Sequence, residues 1–400
     1  MNSRPGSAGA LFFAAVIAVT ALGPLTLHLA LPAFPAIQRD LNASLATLQL
    51  AISLAMLTMA FATLVYGPLS DRLGRRPVLL AGLTLFVIGS VICMVAPTIT
   101  LLIFGRFVQA AGAACGTVIA RAMLSDVYSR ERLAAMIGYV TAAYVVAPAV
   151  AAPMGGMLVH VFDWRAVFTF ATIVGAIILA GSVFLLEETN RHPVPGRGLT
   201  QLVRGNLQVL RLPGFYVYAL FLGLGSGGFF AFLGAAPYLV IELQGRSTAE
   251  YGVYFLFIPF GYFLGSLACG WLGGRFRAHQ MVAAGSVFAA FWVVTMVIWV
   301  SLDRDSTVAL FLCTGMMTMG GGISTPHAQA AAISRAGNLA GTASGMLVFM
   351  QWACGALFAQ LVGMIADGTP YPALAVIAIC ALSSTAVAAI VVRNARRAAP

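Results

Sequence analysis

Between Gly67 and Pro77 the chain sets three arginines and one aspartate in six positions, Asp71 to Arg76, with a long apolar run on either side. Each run is long enough to cross a bilayer, which needs about 20 residues. A dense basic turn between two such helices stays on the cytoplasmic side of a membrane. Gly67 and Pro68 predict the end of one helix, and Pro77 the start of the next.

Composition extends this reading to the whole chain. Of 400 residues 60% are apolar and 8% charged, and the mean hydropathy is +0.95. A soluble domain carries about 25% charged residues, so this chain cannot clothe a water-facing surface and its partner is the lipid bilayer. The net charge of +10 comes from 22 basic residues, all arginine. They lie in short turns between apolar runs, where they act as topology signals and meet anionic headgroups. That distribution argues against nucleic acid as a partner. Cys93, Cys115, Cys269, Cys313, Cys354 and Cys380 all fall within apolar runs, without metal-ligand spacing or a disulfide framework, and read as small packing residues. The first apolar run exceeds a signal-peptide core and reads as a retained helix.

Twelve runs reach spanning length, at about 9–32, 44–68, 77–96, 99–121, 132–158, 165–186, 212–236, 250–272, 279–300, 307–330, 339–366 and 371–392. Arginine counting orients them. With the N-terminus inside, Arg4, Arg72, Arg75, Arg76, Arg121, Arg130, Arg132, Arg191, Arg197, Arg204, Arg211, Arg275, Arg277, Arg335, Arg393, Arg396 and Arg397 are cytoplasmic; Arg39, Arg165, Arg246 and Arg304 are outside. This asymmetry puts both termini in the cytoplasm. Trp164, Trp271 and Trp299 fall at span ends, as interfacial anchors do. The one long polar connection divides six spans from six, giving a bundle over 1–186, a cytoplasmic linker over 187–211 and a second bundle over 212–400. A shift of 203 residues superposes Gly67 on Gly270, Leu69 on Leu272, Arg72 on Arg275 and Gly82 on Gly285, a weak trace of duplicated halves.

Ionisable groups inside a bilayer are costly and mark functional candidates. Arg106, in LLIFGRFVQAAGAACG of the fourth span, lies about 10 Å in from the outer end. It either snorkels to the outer interface or faces a watered cavity. His28, in PLTLHLALPAFP of the first span, titrates near neutral pH when unperturbed and is a proton-coupling candidate; the alternative is a neutral histidine hydrogen-bonded inside the bundle. The two would lie at similar depth, and a fixed guanidinium opposes a second positive charge nearby. Gln49, Gln109, Tyr139 and Tyr144 offer polar contacts but no negative charge, so substrate or a bound anion is expected to complete the pair. His327 reads as a solvated edge residue. Trp352 is either packing or a substrate platform. In the fifth span Pro148, Pro153, Gly155 and Gly156 combine helix kinks with close helix contact.

These segments together resemble the major facilitator superfamily. The turn carrying Gly67, Asp71, Arg72, Gly74, Arg75 and Arg76 resembles its signature loop between helices 2 and 3. The run around Arg106, Gln109 and Gly112 resembles its helix-4 motif, and the fifth-span prolines and glycines its antiporter motif. Leu31 to Pro35, Ala231 to Glu242 and Ser324 to Gly345 are similar to the bicyclomycin/chloramphenicol (Bcr/CflA) drug-efflux branch. Members of that branch usually carry an aspartate at the place of His28. The resemblance implies an all-α membrane protein with the major facilitator fold, twelve transmembrane helices in two pseudo-symmetric six-helix halves. It implies a monomeric multidrug exporter of a bacterial inner membrane, taking a small-molecule substrate of phenicol or bicyclomycin type by alternating access. No cofactor is expected; the coupling ion would be H+. It further implies that Asp71, with Arg72 and Arg76, latches onto the start of the eleventh helix near Asn338 to Thr342. An exporter or facilitator of a sugar, an amino acid or another metabolite is the alternative. The spans hold no nucleophile–base set and no metal cluster, so an enzyme is not expected.

Overall fold

The computed structural model describes residues 7–128, 130–190, 199–212, 214–272 and 275–397. Arg4, Arg191 and Arg197 lie outside the described residues, as do the side chains of Arg130, Arg132, Arg204, Asn338, Arg396 and Arg397.

The described chain is helical throughout. α1 (Ser7–Ala30) passes through a 3-10 turn, Leu31–Ala33, into α2 (Phe34–Asp40). Then follow α3 (Leu45–Leu73), α4 (Arg75–Met94), α5 (Ile99–Val127), α6 (Arg130–Val161) and α7 (Arg165–Leu185). α8 (Leu199–Leu210) precedes α9 (Phe215–Pro237), which runs into a π-helical segment, Tyr238–Leu243. α10 (Thr248–Phe255) and α11 (Phe257–Leu272) share one span, and α12 (Ala278–Leu302), α13 (Thr307–Ser334), α14 (Ala340–Ile365) and α15 (Tyr371–Arg397) complete the chain. Among the described residues eleven helical segments are long and apolar enough to cross a membrane, and α6 holds a shorter apolar stretch, Val146–Val161. Each overlaps one of the twelve expected runs, with shifted ends.

Three boundaries differ from expectation. The first span continues beyond residue 32 to Asp40, because Pro32 and Pro35 occupy the first turns of the short helices, where no N–H is needed. Gly67 and Pro68 do not end α3. The helix runs on to Leu73, and the turn shrinks to Gly74, whose φ of 99° only glycine adopts freely. Pro77 accordingly sits inside the first turn of α4 rather than opening it. The expected linker over 187–211 contains α8, so it is not wholly irregular.

The chain forms two compact units: Met1–Ala43 with Phe61–Arg197, and Ser44–Ala60 with Gly198–Pro400. The N-terminal part of α3 thus groups with the second unit, a division a linear cut at residue 186 does not contain. In the first unit α4 and α5 pack with backbones nearly touching: a methyl on Gly89 would overlap the main chain of Gln109, and one on Gly112 the main chain of Phe86. Such small residues let apolar helices approach where burial from water supplies no drive. The duplicated glycines behave alike. Gly82 packs on Cys115 and Gly112 of α5, and Gly285 on Gly320 and Ser324 of α13.

Candidate functional site

In the first unit, the polar cluster inside the membrane is built on the seam between α4 and α5. Arg106 is 3% exposed. Its Nη1 donates to Gln109 Oε1, one turn on, at 2.6 Å. The Gln109 amide donates to Ser90 Oγ of α4 at 2.7 Å, and Ser90 donates to the Phe86 carbonyl at 2.8 Å. The chain of donors ends at a main-chain oxygen and never meets a carboxylate. Arg106 Nε has no partner, and among the described residues no acidic group pairs with the guanidinium. A buried donor left unmade costs about 1–3 kcal/mol. Snorkelling is not what this side chain does, since it is enclosed.

His28 is also buried, at 6% exposure. Its Nδ1 lies 2.7 Å from the Pro24 carbonyl. A carbonyl only accepts, so Nδ1 carries the hydrogen. Arg106 makes no hydrogen bond to His28; each is tied first to its own helix. The expected polar contacts around Arg106 reduce to Gln109, joined by Ser90, which sequence reasoning missed. Serine is common in membrane helices, and only the α4–α5 packing gives it this role. Tyr139 is 61% exposed and meets Phe13 edge-on at 6.2 Å, so it does not serve Arg106. Tyr144 is half-buried on α6.

Gln49 belongs to the second unit. Its Nε2 donates to the Gly234 carbonyl at 2.6 Å, while Oε1 is buried without a partner. It lines a small cavity with Leu45, Tyr238, Val362 and Thr369. One turn further, Ser53 donates to Gln360 at 2.8 Å, and Gln360 donates to the Ala46 carbonyl at 3.2 Å. Trp352 packs on Phe230, with ring centres 5.2 Å apart. His327 is only half-buried, and its Nε2 has no partner.

The fifth-span motif sits on α6, which contains both Pro148 and Pro153. A methyl on Gly155 would overlap the Leu29 carbonyl and lie 3.1 Å from Pro32. Gly155 therefore seats α6 against α1 beside His28. Gly156, the next residue, is buried.

The basic turn forms a second polar cluster. Arg75, 9% exposed, pairs with Asp71 of α3 and, through Nε, with Asp126 of α5 at 3.1 Å. Its Nη1 donates to Ser70 Oγ at 2.7 Å. The segment after α7 crosses beneath these ends. Glu188 accepts the main-chain N–H groups of Arg75 and Arg76, Thr189 donates to Asp126 at 3.0 Å, and Asn190 donates to the Asp71 carbonyl at 2.9 Å. Arg76 donates to the Val183 carbonyl at 2.8 Å. Gly74 clears room for the Glu188 carboxylate, which a side chain there would strike. Arg72 is exposed, and Gly67 has only Val118 at 4.0 Å. Sequence reasoning named Asp71 and the arginines but not Asp126 or Glu188, whose positions at span edges gave no sign of a shared partner. Asp71 is here a partner of Arg75.

At the opposite ends of the helices, Trp164 is buried rather than a lipid-facing anchor. Its Nε1 donates to Asp40 at 2.9 Å, Arg165 pairs with the same carboxylate at 3.0 Å, and the Arg165 guanidinium lies 4.1 Å from the Trp164 ring centre. Trp271 is 78% exposed, as an anchor should be. The six cysteines are free; Cys115 and Cys93 fill the notches at Gly82 and Gly105, in keeping with packing.

Comparison with known proteins agrees with this architecture. The chain is 28% identical over 377 residues to the multidrug resistance protein MdtL of Escherichia coli (strain K12), with 93% of each chain covered. It is 28% identical over 349 residues to the uncharacterized MFS-type transporter YdgK of Bacillus subtilis (strain 168), covering 86% of each. In structure it resembles the xylose transporter XylE from E. coli, with a TM-score of 0.70 at 12% identity over 94% of this chain and 96% of that one. Residues 10–360 match the family model described as Major Facilitator Superfamily. This multi-pass membrane protein belongs to the major facilitator superfamily of transporters.

Proposed function

We propose that the chain is a secondary active exporter of small amphipathic drugs, of phenicol or bicyclomycin type, in the bacterial inner membrane, within the Bcr/CflA branch. The observation that carries the reading is the buried Arg106 guanidinium with an unpartnered Nε and, among the described residues, no carboxylate partner. An enclosed, uncompensated cation is expensive to keep, and in a transporter it has a use: it attracts cargo that is neutral and polar, zwitterionic or anionic, and disfavours lipophilic cations. The similarity to MdtL, a protein named for multidrug resistance, supports drugs as the cargo class.

In this reading the protein works as a monomer with both termini cytoplasmic, and alternating access exchanges a proton for the drug. His28, tautomerically fixed by Pro24, takes the place of the aspartate usual in the branch. A membrane potential of 100 mV supplies about 2.3 kcal/mol per charge moved. Gln49, Tyr139, Tyr144 and Trp352 are the cavity candidates. Asp71, with Arg72 and Arg76, is the candidate conformational latch of the basic turn.

The test is flux in proteoliposomes with imposed pH gradients, comparing the native chain with H28A and R106A. Gradient-driven drug export that H28A uncouples and R106A abolishes is expected. Export that ignores the gradient in the native chain removes antiport. Expression that alters growth on metabolites but gives no protection against drugs would replace the cargo with a sugar, an amino acid or a similar metabolite.

A further inference from the structure

α8 differs from the spanning helices. It lies within the connection between the halves and its sequence, LTQLVRGNLQVL, is amphipathic. Val209 is fully buried in an apolar cluster with Phe215 of α9, Ala332 of α13, Ala343 of α14 and Val391 of α15. One side of α8 is therefore fixed to the ends of those helices, the ends that arginine counting assigns to the cytoplasm. The other side is open. Leu207 and Leu210, three residues apart and so on one face, are 48% and 36% exposed. Arg211 beside them is exposed. Positions 204 and 211 are two turns apart and so fall on one stripe of the helix register, flanking position 207.

Charge and distance select what covers this face. Between Glu188 and Glu242 the sequence holds Arg191, Arg197, Arg204 and Arg211 and no acidic residue. A second copy of the same face would set like charges together. Five residue steps separate Leu210 from Phe215, the first residue of a spanning helix, so the open face stays within about 17 Å of the membrane edge. A helix with leucines on one arc and arginines along its border is the pattern that lies in the headgroup layer.

We propose that the outer face of α8 is a binding surface for anionic phospholipid of the cytoplasmic leaflet. Leu207 and Leu210 enter the acyl boundary, and the stripe through positions 204 and 211 holds lipid phosphate, which guanidinium groups bind through paired hydrogen bonds. The linker between the halves is then anchored to the bilayer, and its anchoring depends on lipid charge. This does not depend on what the protein exports.

Hydrogen exchange of the full-length chain in nanodiscs tests it, comparing phosphatidylcholine alone with a phosphatidylcholine–phosphatidylglycerol mixture. Amides of 199–211 are expected to exchange more slowly in the anionic discs, by about fivefold for each arginine engaged. High salt shrinks the difference in the native chain, without any substitution. R204Q/R211Q abolishes it, and L207Q/L210Q speeds exchange in both lipids. Unchanged exchange in the α9 segment confirms that the variants are folded. Equal exchange of the native chain in the two discs overturns the proposal, as does a difference that persists in high salt.

Discussion

Glu188 accepts the main-chain N–H of Arg75 at 2.9 Å with one carboxylate oxygen and that of Arg76 at 3.1 Å with the other. The first N–H groups of a helix have no partner within it, and their partial positive charge favours an anion. Gly74 carries no side chain to cap α4, so the cap comes from 113 residues away. One carboxylate thereby joins the end of α7 to the start of α4.

Replacing Glu188 by alanine removes both acceptors and is expected to cost about 0.5–2 kcal/mol, the range for a lost helix cap. E188Q keeps one oxygen and should cost less. Thermal unfolding in detergent gives the order: native, E188Q, E188A. Equal midpoints for all three would contradict the cap.

Asp71 and Asp126 both pair with the nearly buried Arg75. Losing either leaves Arg75 with the other, so D71N and D126N are each expected to be mild. Losing both strands a buried cation, which costs about 3–5 kcal/mol when a buried pair is broken. A double-mutant cycle on stability should therefore be strongly non-additive. In transport assays D71N alone should slow flux while membrane insertion stays normal; unchanged flux removes the latch.

Arg106 should separate stability from activity. Among the described residues it has no carboxylate to strand, and its Nε is unpartnered, so R106Q is expected to leave the unfolding midpoint unchanged or raise it. Flux should fall more than about tenfold, the effect of losing about 1.4 kcal/mol of interaction with cargo or proton. A large drop in stability with flux retained would make Arg106 a structural residue.

Gly155 holds α6 against the Leu29 carbonyl, whereas Gly181 on α7 has open space where a Cβ would stand. G155A should cost about 1–3 kcal/mol by overpacking and displace α1 beside His28, reducing flux. G181A should change neither by a measurable amount. Unfolding midpoints and flux of the two variants, measured together, check the contrast.

Much of the architecture was legible in the chain because the bilayer enforces it. Runs of about 20 apolar residues must be helices, since no water is present to satisfy a bare backbone. Their ends follow from where charge resumes. For this reason the span from Ile99 starts where expected. Arg106, His28 and Gln109 stood out for the same reason: polar groups are rare in such runs. Pro68 misled, because the reading assigned it a break that the helix does not make.

A polytopic helical bundle and the short roster of polar residues inside it can be read from the residues one at a time, because the cost of placing charge in lipid acts on each separately. Their partners are a matter of packing. That Arg106 leans on Gln109 and Ser90, that Glu188 caps α4 and that Gly155 abuts Leu29 are relations between residues 3 to 126 positions apart. They depend on which helix faces come together and how closely.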